Sequence, residues 1–149
     1  MASRADTVSD VGHISVEDHI AIERLMYLYA RCADNKDYAG FARVFTADAV
    51  FDYSGREVRS LDAIREMMLA LEKYHTTQHR VQNVLYDVDG NAAEGETYCL
   101  ASHLIDADGV TQKIDMSIIY RDRLRRTSAG WRIAHRKFDL LWSRTEPVD

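Results

Sequence analysis

The sequence predicts an α+β fold in which helices come first and an antiparallel sheet follows. Three observations carry this. Up to Tyr74, apolar residues recur at helical spacing. From Thr76 onward, apolar and polar residues alternate in long runs, as on half-buried strands. The turn signals Asp89–Gly90–Asn91, Asp108–Gly109 and Thr127–Gly130 divide those runs into four strands, which makes a meander. Helices gathered on one face of such a sheet are the usual α+β solution. A chain of 149 residues suits one domain with one core.

Taken in order, residues 1–14 are small, polar and unpatterned, and are expected to form a flexible tail before a domain spanning 15–146. Glu17–Asp37 reads as one amphipathic helix, with Ile22, Leu25, Met26, Leu28 and Tyr29 on its apolar side. Ser15 can cap its start, and Asp18 favours the positive helix end. Asn35–Lys36–Asp37 breaks it, and Tyr38–Phe45 forms a short second helix. Ala49–Tyr53, the Ser54–Gly55 turn and Arg56–Arg59 read as a small hairpin. Ser60 caps a third helix over Leu61–Lys73. The four strands are Thr76–Asp87, Ala92–Asp106, Val110–Arg125 and Trp131–Arg144; the single proline, Pro147, lies beyond them.

Composition excludes several functions. A net charge of −5 argues against a general nucleic-acid binder, and the Arg123–Arg126 cluster reads as a solvated strand end. No apolar run approaches the roughly 20 residues that cross a bilayer, and the first residues lack a signal core, so the expected location is cytoplasmic. Cys32 and Cys99 have no metal-like spacing and read as free thiols. His75 and His79 would share a strand face but lie roughly 13 Å apart, too far for one ion. No phosphate loop, dinucleotide fingerprint or nucleophile elbow is present in the sequence.

Strand parity nominates a site. His79 shares a face with Thr77, Val81, Asn83 and Leu85; His103 with Thr97, Cys99 and Ala101. Met116 lies with Gln112, Ile114, Ile118 and Tyr120, and Arg136 with Ala134, Phe138 and Leu140. If these faces converge, they line a mostly apolar pocket holding a few polar groups, the usual make-up of a small-molecule site. Each residue alone also has a structural reading: a satisfied core histidine for His79, a helix-end acid for Asp34, half of an ion pair for Arg136.

The order of helix, short helix, hairpin, helix and four-stranded meander resembles the SnoaL-like branch of the NTF2-like (cystatin-like) superfamily, whose members fold as a cone. The resemblance covers roughly Val16 to Arg144. It rests on IERLMYLYARCADNKDY, on FTADAVFDY before a glycine hairpin, and on GWRIAHRKFDLLW closing the sheet. It implies N-terminal helices packed on a strongly curved antiparallel sheet. Within the superfamily, the chain is most similar to the scytalone dehydratase, hexachlorocyclohexane dehydrochlorinase and bile-acid 7α-dehydratase families. That similarity implies a His–Asp dyad made by His79 and Asp34, with Tyr29 and Arg136 as further catalytic groups. It also matches His103 and Tyr53 to substrate-binding positions. Tyr29 and Asp34 are five residues apart, about 500° around a helix, so the helix must bend or end near Asp34 for both to reach one pocket.

The activity implied is a cofactor-independent dehydratase or lyase acting on a small, largely apolar cyclic compound such as a steroid, polyketide or aromatic-pathway intermediate. His79 would be general base, Asp34 its orienting partner, Tyr29 a donor, and Arg136 a positive charge near a substrate oxygen. Tyr53, His103, Met116 and Phe138 would bind substrate. Neither metal nor organic cofactor is implied. Isomerisation or cyclisation by the same residues is one alternative, and a non-catalytic binding or assembly module another. A homo-oligomer, dimer or trimer, is expected through the outer sheet face, where parity places Tyr98, Leu100, Leu104, Ile119, Trp131 and Ile133.

Overall fold

A computed structural model describes residues 13–149; most of the expected tail, residues 1–12, lies outside the described residues. Helix α1 (Val16–Asp34) starts at Ser15, whose hydroxyl accepts from the Asp18 amide at 3.0 Å. It stops three residues before the expected end, where Asn35 leaves helical geometry and Lys36 turns to φ 54°. A 3-10 turn over Ala39–Arg43 stands where the short second helix was expected. Strand β1 (Phe45–Tyr53) begins four residues earlier than predicted and pairs with β2 (Arg56–Arg59). Helix α2 (Leu61–Met68) tightens into a 3-10 turn over Leu69–Lys73. The long strands are β3 (Thr76–Asp89), β4 (Ala92–Ala107), β5 (Val110–Thr127) and β6 (Gly130–Val148).

One curved six-stranded sheet has the order β2-β1-β6-β5-β4-β3. The meander is antiparallel as predicted, but β1 runs parallel to β6, so the sheet is mixed. Sequence order gives no sign of that pairing, because β1 and β6 lie far apart in the chain. Pro147 lies inside β6, where β1 no longer pairs on the other side and no amide is required from it.

Helix α1 lies across the sheet and buries Ile22, Leu25, Met26, Tyr29, Cys32 and Ala33 together with Phe41, Phe45, Phe51 and Ile133. Its N-terminus is tied to the β5–β6 turn. Arg126 donates to both Asp18 carboxylate oxygens at 2.7 and 2.9 Å and covers the Trp131 ring, whose indole N–H also donates to Asp18 at 2.9 Å. The Arg126 hydrogen bonds, helped by that of Trp131, lower the Asp18 pKa to about 2. The basic cluster is therefore partly engaged in structure, with Arg125 also paired to Asp48.

Bulges correct the parity argument in three places. The register shifts between Val81 and Val84, so the inward face of β3 continues through Tyr86, while Leu85 points to solvent. An extra residue near Ala134 turns both Trp131 and Ile133 into the core rather than onto the outer face. Another near Leu141 leaves Leu140 and Leu141 exposed.

Candidate active site

Helix α1, α2 with its 3-10 extension, and the concave side of the sheet enclose a cavity of about 690 Å³, within the range of small-molecule sites. Its walls are apolar: Phe51, Val58, Met67, Leu71, Met116, Ile118 and Phe138 all contribute. Its deepest polar groups are Tyr29, His79, His103 and Tyr120, each with its side chain almost wholly buried. Exposed Arg56, Glu66 and Lys73 stand at its rim.

Asp34 and His79 meet because α1 ends at the acid and β3 turns the histidine inward ahead of its bulge. His79 Nδ1 lies 2.7 Å from Asp34 Oδ1. The His79 amide donates to Asp34 Oδ2 at 3.0 Å, and the Thr77 hydroxyl donates to Oδ1 at 2.9 Å. Both carboxylate oxygens are thus occupied. Burial pushes the Asp34 pKa up, but the hydrogen bonds from the His79 ring and amide and from Thr77 outweigh it and hold the group below its ordinary value. An ionised acid here accepts from Nδ1–H, which leaves the Nε2 lone pair of neutral His79 free.

Tyr29 lies edge-on to His79, with ring centroids 6.3 Å apart, and 5.4 Å from Tyr120. Burial raises the pKa of both phenols, so at neutral pH they are donors rather than bases. His103 faces the cavity, 5.4 Å from His79 and 4.8 Å from Tyr74. Burial, together with the neighbouring His79, lowers its pKa to about 4. It is therefore neutral at pH 7, and its Nδ1 is buried without a partner. Met116 and Phe138 line the wall, and half-exposed Tyr53 stacks on Phe138 at 4.7 Å, its register partner across the β1–β6 pair.

Arg136 is the correction. It does not reach the cavity, and its side chain is fully buried behind Tyr29 and Tyr120. Asp122 holds it through two hydrogen bonds of 2.8 and 2.7 Å, and Tyr86 donates to the same acid at 2.6 Å. Its guanidinium carbon lies 4.3 Å from the Tyr29 ring centre and 4.1 Å from that of Tyr120. Burial opposes its charge, but Asp122 outweighs burial and fixes it. A substrate oxygen has no access to this group, so its effect on the cavity passes through the two phenols. Tyr120, Thr77 and Asp122 were not singled out as site residues. Tyr120 and Thr77 do share predicted faces with Met116 and His79.

Among the described residues, no group of three or more His, Cys, Asp or Glu side chains is arranged to hold a metal ion. Nor is any helix among them long and apolar enough to cross a membrane.

The model of the SnoaL-like domain matches residues 15–137. The chain belongs to the SnoaL-like family. The SnoaL-like chain is 27% identical over 124 residues to the uncharacterized protein Rv2910c of Mycobacterium tuberculosis, covering 81% of this chain and 84% of that one. Among solved structures it is similar to a candidate scytalone dehydratase from Novosphingobium aromaticivorans, at 20% identity and a TM-score of 0.79, covering 90% of this chain and 91% of the other. It is also similar to the hexachlorocyclohexane dehydrochlorinase LinA-type3 from Novosphingobium barchaimii, at 14% identity and a TM-score of 0.75, covering 89% and 91%. At those identities the likeness shows the fold alone, and that fold is the cystatin-like, NTF2-like cone expected for a SnoaL-like domain.

Proposed function

We propose that this SnoaL-like protein is a cofactor-independent lyase of the dehydratase type, acting on a small, largely apolar cyclic carbonyl compound. The observation that carries the reading is the 2.7 Å contact between Asp34 and His79 at the base of an apolar cavity. A binding module has no need of an imidazole held in one tautomer there.

In this mechanism, Nε2 of His79 takes a proton from the carbon beside the substrate carbonyl. Asp34 stabilises the imidazolium that forms and does not take the proton itself, since three donors already occupy it. Negative charge develops on the carbonyl oxygen, and the phenols of Tyr29 and Tyr120 donate to it. The buried charge of Arg136 behind both rings supports them as donors. When hydroxide leaves the next carbon, the imidazolium returns its proton, so that water departs and a double bond remains. Arg136 and Asp122 are positioning residues in this scheme.

The test is a panel of cyclic β-hydroxy ketones incubated in deuterated water and followed by NMR. The expected result is deuterium entry beside the carbonyl and water loss from at least one compound, both abolished in His79→Ala. Deuterium entry with double-bond movement in cyclic β,γ-unsaturated ketones run alongside, and no water loss from the hydroxy ketones, would assign the same residues to isomerisation. A protein that binds panel compounds tightly yet exchanges none of their protons would overturn the catalytic reading.

A further inference from the structure

We propose that the cavity rim binds an anionic group carried by an otherwise apolar ligand, with Arg56 and Lys73 as its counter-charges. The proposal rests on reading this cavity as the ligand site, and it does not require the proton transfer.

Polarity in the cavity is divided between two ends. The buried end offers neutral groups, His103 and the two phenols, beside the His79–Asp34 pair. The exposed end carries Arg56 from the β1–β2 hairpin, Lys73 from the 3-10 turn after α2, and Glu66 from α2. This rim has two cations to one acid in a chain whose net charge is −5.

Neighbouring acids do not neutralise these cations. Glu57 pairs with Arg59, Asp62 with Arg65 at 3.0 Å, and Glu72 with Lys36 at 3.6 Å while accepting from Tyr38 at 2.7 Å. Among the described residues, neither Arg56 nor Lys73 has an acidic group within 4.0 Å; Lys73 has only the Tyr74 ring, 5.0 Å away. An apolar ligand filling the cavity would leave both exposed cations to solvent and draw nothing from them. A ligand ending in a carboxylate, sulfonate or phosphate would pair with them at the mouth. The ligand class this predicts is an amphiphile with its reactive carbonyl inward and its anion at the mouth.

Two fluorescent probes with the same aromatic body separate the effect. 1-Anilinonaphthalene-8-sulfonate carries the anion, and N-phenyl-1-naphthylamine lacks it. The wild type is expected to bind the sulfonate more tightly. Substituting Arg56→Ala and Lys73→Ala together should weaken it about 2- to 30-fold, the range for two exposed ion pairs, with the neutral probe unaffected. Raising salt from about 0.05 to about 0.5 M should weaken only the sulfonate. Met116→Trp, which narrows the cavity, should weaken both probes, and Lys137→Ala on the outer sheet face should alter neither. Equal affinity of the wild type for the two probes, or unchanged sulfonate binding in the double variant, would overturn the proposal. Both readouts are binding, so they stand even if no panel compound turns over.

Discussion

His103 makes stability depend on acid in a way that can be isolated. Its pKa falls from 6.5 in an unfolded chain to about 4 in the fold, because burial disfavours the charged ring and His79 stands 5.4 Å away. Asp34 beside His79 favours its charge, Lys73 opposes it, and Tyr74 packs on its face. Between those two pKa values, the unfolded chain binds the proton and the folded chain does not. Stability therefore falls as pH falls through that window. The difference of about 2.5 pKa units corresponds to roughly 3 kcal/mol, fully lost below about pH 4. His103→Leu removes the titration and keeps much of the volume. Urea unfolding of both proteins at about pH 7.5 and about pH 4 should show the wild type losing roughly 3 kcal/mol more than the variant. A difference between them that stays constant with pH, or an NMR titration of His103 near its ordinary value, would refute the reasoning.

Other outcomes are equally concrete. Arg136→Met leaves Asp122 buried and unpaired and should cost about 3–5 kcal/mol in chemical denaturation, whereas pairing it with Asp122→Leu should restore part of that loss. Gly95→Ala should destabilise by about 1–3 kcal/mol, since its Cβ would lie 2.1 Å from the Leu85 carbonyl oxygen and 2.7 Å from the Tyr86 Cα. The outer sheet face keeps Tyr98, Leu100, Leu104 and Ile119 by register and gains Trp142, which is half exposed. Light scattering should show a dimer or trimer formed through it, which Trp142→Glu shifts toward the monomer; a wild-type monomer at micromolar concentration would count against the association.

What the sequence revealed, and what it concealed, follows from how local each signal is. Helix α1 and its end at CADNKD were legible because apolar spacing, the Ser15 cap and turn-forming Asp and Asn all act within a few residues. Period-two alternation grouped His103, Met116 and Phe138 with their strand neighbours but left open whether those faces converge on one cavity. The bulges escaped that argument, because a register shift depends on the partner strand. Arg136 shows the consequence. Counting back from the Thr127–Gly130 turn pairs Leu124 with Ile133, and without a bulge would bring His135 opposite Asp122. The extra residue at Ala134 brings Arg136 there instead, which commits the guanidinium to an ion pair inside the core. The parallel β1–β6 contact was equally hidden, although it sets Tyr53 on Phe138 at the cavity mouth.

The central claim is that Asp34 holds His79 with its Nδ1 protonated and its Nε2 bare toward the cavity. Nitrogen-15 NMR of labelled imidazoles, with His79 assigned by its loss in His79→Ala, reads this directly. For neutral His79 the account predicts a protonated Nδ1 and an unprotonated Nε2, with the distinction weakened in Asp34→Asn. A protonated Nε2 in the wild type would contradict it, because the nitrogen meant to take the substrate proton would already carry one.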